Sequence, residues 1–233
     1  MANIVENIKD VLEFYHALGF ESLPINLAVK NKPVAMGRKV KNQIHSDKEN
    51  LLKKLREEIG DCKRCKLSGK RTNIVFGEGN PDAKLMFIGE APGREEDIQA
   101  RPFVGDAGMV LTRLIEKMGF RREDVYIANI VKCRPPMNRD PETDEMEECK
   151  GFVERQIEII HPQVIMSLGR ISAMALTGDP KLKITAIRGK FFDYKGILLI
   201  PTFHPAYLMR NPKDKWLTWS DAQKVIEILG SKS

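Results

Sequence analysis

Four short stretches of the chain are apolar at nearly every position: KLMFIG at 84–89, VYIANI at 125–130, VIMSLG at 164–169 and ILLIPT at 197–202. A strand with one wet face alternates apolar and polar residues. Uninterrupted runs of this length therefore predict strands covered on both faces, as in a parallel sheet. Between them, apolar residues recur at helical spacing. Val110, Leu111, Leu114, Ile115 and Met118 form one inward face, and Met146, Cys149, Val153, Ile157 and Ile160 form another. A last helix is expected over Ser220 to Leu229. Strands alternating with helices predict an α/β fold, a three-layer sandwich around a central four-stranded parallel sheet.

Ahead of this pattern, Ile4, Ile8, Val11, Leu12, Tyr15 and Leu18 mark one apolar helix face that Gly19 ends. Residues 26–43 turn basic and irregular, with Pro33 and Gly37, and read as a linker or arm. A second helix is expected from a cap at Ser46 or Asp47, running through Leu51, Leu52, Leu55 and Ile59 to Gly60. The chain is thus divided into an extension, 1–46, and a main domain, 47–233. The extension is expected to pack on its own domain, with contact to DNA or to a repair partner as the alternatives.

Length and composition narrow the class. At 233 residues with 42% hydrophobic and 30% charged residues, the chain suits one well-buried globular domain with an appendage. Its start, MANIVENIKD, lacks the basic and apolar segments of a signal peptide, and no apolar run approaches a membrane span. A cytoplasmic, monomeric protein with no membrane association is expected. The net charge of +6 makes a polyanionic partner plausible. Basic residues gather at Lys63, Arg64, Lys66, Lys70 and Arg71, and again at Arg121, Arg122, Lys132 and Arg134. Solvated faces are the plain alternative for each set.

In open parallel sheets, ligands bind beyond the carboxyl ends of the strands. The polar residues there are Glu90 after the first run, Asn129 on the second and His204 shortly after the fourth. GEAPG (89–93) matches neither a phosphate loop nor a dinucleotide fingerprint, and Glu95, Glu96 and Asp97 stand where a phosphate would want Lys. Such a turn can still present backbone N–H groups to a carbonyl oxygen or a developing anion. The four cysteines fall as Cys62-x2-Cys65, Cys133 and Cys149. In an intracellular protein four gathered thiols suit tetrahedral zinc or an iron–sulfur cluster, and spacing alone does not choose between them.

Taken together, GEAPGREED, RPFVGDAG, NIVKCRPPMNRDP, the cysteine spacing and HPAYLMRNP resemble the iron–sulfur (family 4) uracil-DNA glycosylases, from about Cys62 to Arg210. The resemblance implies that the chain flips uracil out of single- or double-stranded DNA and hydrolyses its N-glycosidic bond, leaving an abasic site for base excision repair. It implies a [4Fe-4S] cluster on Cys62, Cys65, Cys133 and Cys149, with a structural role. The backbone at Glu90 and Ala91 would help bind the base, Phe103 would stack on it, and Asn129 would read its polar edge. Glu96 would lie near carbon 5 and exclude thymine, while His204 would stabilise charge on the leaving base. Leu208 is the expected wedge into the DNA stack, and Arg210 a phosphate contact. Better-known uracil-DNA glycosylases carry an Asp where this chain has Ala91. The water-activating group is therefore open between Glu90 and Glu96.

Two other classes compete. An iron–sulfur redox protein would use the cysteines and leave GEAPG, Asn129 and His204 without roles. A uracil-DNA binder without turnover is the second; its covalent-trapping relatives carry a KRRIH-containing insertion that NIVKCRPPMNRDPETDE lacks.

Overall fold

The computed structural model describes residues 38–230, with side chains from residue 43 onward. The helix expected at 4–18 lies outside the described residues. The first described element is α1, Arg38–Ile59. It begins eight residues before Ser46, so neither Ser46 nor Asp47 caps it and residues 38–43 of the expected linker are helical. Its Leu52, Leu55 and Ile59 are buried, while Leu51 faces solvent.

Each apolar run is a strand. β2 (Leu85–Gly89), β3 (Tyr126–Asn129), β4 (Val164–Leu168) and β6 (Ile197–Thr202) pair in parallel. Among the described residues the sheet nevertheless has six strands, in the order β1-β3-β2-β4-β6-β5. β1 (Glu78–Gly79) and β5 (Phe192–Tyr194) are short antiparallel edges on β3 and β6. Two or three residues beside a sheet edge need no apolar run to be held there, so these strands leave no hydrophobic signature.

Helices cover both faces. α1 and α4 (Thr143–Ile160) pack with α5 (Arg170–Thr177) over one face, where Leu55, Val153, Ile157 and Leu176 join Met86, Ile88 and Ala128 of the strands. α3 (Asp106–Lys117) and α8 (Lys215–Leu229) cover the other, with Leu111, Ile115, Ala222 and Val225 against Phe87, Ile127 and Met166. α8 starts five residues before the expected Ser220. Three small helices, α2 (Arg94–Gln99), α6 (Ile184–Ile187) and α7 (Pro205–Arg210), lie in the loops. β2 sits between β3 and β4, so the chain leaves it on one side and returns on the other, which opens a crevice at the carboxyl ends. Among the described residues no helix is long and apolar enough to cross a membrane.

Candidate active site

A cleft of about 440 Å³ occupies that crevice, and Glu90, Ala91, Glu96, Phe103, Asn129, His204 and Arg210 all line it. Its size lies in the range of small-ligand sites. Just beyond the ladder, Ile130 and Val131 donate their N–H groups to the carbonyls of Gly89 (3.0 Å) and Glu90 (2.9 Å). The strand ends are thereby fixed side by side.

Phe103 is held in a conformation that it does not favour. Its φ is +50°, in the left-handed region that costs a bulky residue of order 1–3 kcal/mol. The neighbouring backbone is gripped on both sides. Glu96 Oε1 accepts the N–H groups of Val104 (2.9 Å) and Gly105 (3.0 Å). On the other side, Arg122 Nη2 donates to the Pro102 carbonyl and to Glu78 Oε1 (2.9 Å). Arg101 binds the same Glu78 through its Nε at 2.7 Å. Two glycines make room. A Cβ on Gly89 would strike Asn129 Oδ1 and come within 2.5 Å of the Phe103 ring, and one on Gly108 would collide with the Phe103 carbonyl. The turn therefore places the aromatic ring against the end of β2, with its centroid 5.7 Å from that of His204.

Asn129 is buried, and its Oδ1 has no hydrogen-bond partner. Leaving a buried acceptor unsatisfied costs about 1–3 kcal/mol, a cost that a ligand N–H can remove. The Asn129 carbonyl accepts from Lys132 Nζ at 2.9 Å, and the same ammonium reaches Gln156 Oε1 at 2.6 Å. Gln156 in turn donates to the Phe76 carbonyl (2.9 Å) and to Tyr126 Oη (3.2 Å). This network escapes sequence reading because Lys132 looks like a surface charge; it is fully buried, and burial pushes its pKa down to about 7.

His204 Nδ1 accepts the Ala206 N–H at 3.2 Å, which leaves the ring proton on Nε2. Burial, aided by the Arg210 charge, lowers its pKa to about 4, so the imidazole is neutral at physiological pH. Glu90 moves the other way. Burial, reinforced by the Asp140 carboxylate, raises it to about 7, against the opposing pull of Arg170.

Leu208 does not project. It is 3% exposed, in an apolar groove with Leu111, Phe203 and Trp219. A wedge must stand out from the surface, so in this structure Leu208 packs α7 against the domain, and its neighbour Met209 is the exposed residue, at 42%. The expected basic faces are also largely spent. Lys66 pairs with Glu142 and Asp144, Arg71 with Asp61, Arg121 with Asp124, and Arg122 with Glu78. The cleft also gathers Pro135, Asn138, Arg139 and Tyr207, which no spacing marked.

All four cysteines line a second, smaller cavity, with Arg64, Arg71 and Lys132 around them. N–H groups point at three of the sulfurs: Arg64 Nη1 to Cys62 Sγ (3.2 Å), Arg71 Nη1 to Cys133 Sγ (3.7 Å) and the Lys132 amide to Cys149 Sγ (3.2 Å). Burial pushes the Cys133 thiol up to about 12 and raises that of Cys149. Thiolates here need a compensating cation. Among the described residues no group of three or more His, Cys, Asp or Glu side chains is arranged to grip a single metal ion.

Two outcomes are expected from the carboxylates. Glu96→Ala removes the acceptor for two N–H groups beside a strained turn, so it should lower the melting temperature by several degrees, whereas Glu96→Gln, which keeps an acceptor, should retain most of the stability. Calorimetry of the pair checks this; equal stability of Glu96→Ala and the parent would remove Glu96 from the clamp. Glu90 holds its proton up to about pH 7 when folded but only to its ordinary value when unfolded, so it lowers stability as pH rises through that window. Glu90→Gln should therefore raise the melting temperature at pH 8 by a few degrees and leave it unchanged at pH 4.

Comparison with known proteins agrees with this geometry. The model of the uracil DNA glycosylase superfamily matches residues 76–225. The chain is 50% identical over 165 residues to the type-4 uracil-DNA glycosylase of Thermotoga maritima, covering 70% of this chain and 86% of that one. It is 50% identical over 184 residues to the enzyme of that name from Saccharolobus solfataricus, covering 76% and 85%. A third, from Archaeoglobus fulgidus, is 43% identical over 182 residues, covering 75% and 92%. With strand ends, cleft and overall sequence in agreement, this chain belongs to the uracil-DNA glycosylase superfamily and, within it, to the type-4 uracil-DNA glycosylases.

Proposed function

We infer that this chain removes uracil from DNA by hydrolysing the bond between N1 of the base and C1′ of the sugar, in the manner described above for the resemblance. The observation that carries the reading is the buried, unpartnered Oδ1 of Asn129 at the strand ends. Uracil offers an N–H between two carbonyls; that N–H satisfies Oδ1, and the amide group of the same side chain donates to a flanking carbonyl. Phe103 supplies a stacking face, and the backbone at Glu90 and Ala91 supplies donors. Glu96 shapes the loop beside carbon 5 and discriminates against the thymine methyl through the position of the turn that it clamps.

When the C1′–N1 bond breaks, the electron pair leaves with the base. His204, neutral with its proton on Nε2, donates to the oxygen on which charge develops; a well-aimed donor of this kind contributes about 3–4 kcal/mol. Because the imidazole keeps its proton, no charged histidine has to be formed in a buried site. Water then bonds to C1′. Its proton passes to Glu90, whose raised pKa suits a base working near neutrality, and the uracil anion takes a proton from solvent. Ala91 has no part in this step.

Cys62, Cys65, Cys133 and Cys149 would hold a [4Fe-4S] cluster. A cluster joins thiolates spaced more widely than one ion can, since zinc–sulfur bonds are only about 2.3 Å, and the N–H donors on its sulfurs are of the kind that tune such centres. When bound, it supplies a crosslink between the 62–65 loop, the end of β3 and α4. The chain acts as a cytoplasmic monomer on single- and double-stranded DNA.

Free uracil and abasic sites should appear when anaerobically purified protein is incubated with uracil-containing oligonucleotides. His204→Ala should slow release roughly 10²–10³-fold. The pH profile of kcat should rise through about pH 7 and flatten in Glu90→Gln; an unchanged rise in that variant would exclude Glu90 as the base. Cys133→Ala should lose iron, brown colour and several degrees of melting temperature. Stoichiometric zinc in protein prepared anaerobically with ample iron would overturn the cluster assignment.

A further inference from the structure

Met137 is the most exposed large apolar residue among the described residues, at 93%. It sits in a single turn, Pro136–Asn138, between the end of β3 and α4. Isolated apolar residues on a surface are ordinary and by themselves say nothing. The backbone makes this one unusual. Met137 has φ +57° and Asn138 φ +54°, two successive residues in the left-handed region. Asn tolerates that region, whereas Met does not, and Gly would be the residue of least strain. The chain thus places a long apolar side chain where the backbone disfavours it and where it buries nothing in the folded protein. A locally costly choice with no gain in the fold marks a functional position.

The turn is held firmly. Asn138 donates its N–H to the Pro135 carbonyl (3.1 Å), Arg139 donates its own to the Pro136 carbonyl (3.2 Å), and Arg134 Nε binds Asn138 Oδ1 at 2.7 Å. Arg139 forms a two-pronged pair with the buried Glu145 carboxylate, at 2.8 and 2.6 Å. Pro135, Asn138 and Arg139 line the base cleft. Met137 is therefore a projecting apolar tip on a fixed mount at the cleft rim, with arginines at its root.

Base flipping leaves a gap in the stack, and a protein that extracts a paired base gains by filling the gap or pressing apart the neighbouring bases with an apolar side chain. The residue expected to do so, Leu208, is packed away. We propose that Met137 is the apolar wedge of this protein, entering the DNA stack beside the extruded nucleotide while Arg134 and Arg139 hold the turn. This rests on the uracil-excision reading.

The test compares Met137→Gly with the parent on the same uracil-containing sequence as duplex and as single strand. Glycine relieves the left-handed strain, so the variant should melt at the same temperature or higher, and lost activity cannot then be ascribed to unfolding. The wedge predicts that kcat/KM on duplex falls by roughly tenfold, the order expected when help with unstacking is withdrawn, while the single-strand value stays within about twofold. A 2-aminopurine placed next to the uracil should brighten on binding to His204→Ala protein, and brighten less when Met137→Gly is added. Equal changes on both substrates, or none, would overturn the proposal. So would a duplex-specific loss in Met209→Ala that Met137→Gly lacks. Failure of the parent to release uracil would instead strike the underlying reading.

Discussion

The site depends on one carboxylate holding one turn. Glu96 accepts the N–H groups of Val104 and Gly105, and this keeps Phe103 at a φ that its side chain would otherwise abandon. The space left by the missing side chains of Gly89 and Gly108 is what the Phe103 ring and carbonyl occupy. Phe103 then forms a wall with His204, and the end of β3 is left with an amide oxygen facing no protein partner. The acids of GREED thus have separate uses. Asp97 accepts the N–H groups of Thr72 (2.9 Å) and Asn73 (3.1 Å) and ties the chain after the cysteine loop to α2, while Glu96 ties α2 to the aromatic turn. A loop that looked like a rejected phosphate site is a rigid frame for one wall of the cleft.

The electrostatics follow from the same geometry. Although the net charge is +6, Arg122, Arg139 and Lys132 are engaged in positioning backbone and carboxylates. The cleft holds a neutral histidine and a carboxyl with raised pKa. A neutral N–H donor and a carboxyl poised near neutrality are compatible with a reaction in which negative charge appears on the leaving base. The net positive charge remains available as a longer-range attraction for DNA.

Lys132 joins the two cavities. Its amide donates to Cys149 Sγ and its ammonium holds the Asn129 carbonyl. The cavity lined by the four cysteines is therefore linked to the end of β3 at the cleft by one fully buried residue.

Much of this was legible in the residues alone. The four central strands announced themselves because burial on both faces demands unbroken apolar runs, and the rule of carboxyl ends then selected Glu90, Asn129 and His204 with no contacts known. The cysteine set and the family motifs were equally plain, since each is local in sequence or fixed in spacing. Edge strands β1 and β5 were not, because polar residues at a sheet margin carry no such demand. Nor were the start of α1 and the fate of the charges: Lys132 and Arg122 read as surface cations, and only the packing of distant segments shows that they are donors to backbone. Leu208 and Met137 make the same point in opposite directions. Sequence position after the histidine favoured Leu208 as the projecting residue, yet the groove between α3 and α8 takes it inward, while Met137, unremarked in the sequence, stands out on a turn. Sequence determined which residues could do the chemistry; tertiary structure decided which of them face the cleft, because burial, strain and pairing are set by neighbours far away along the chain.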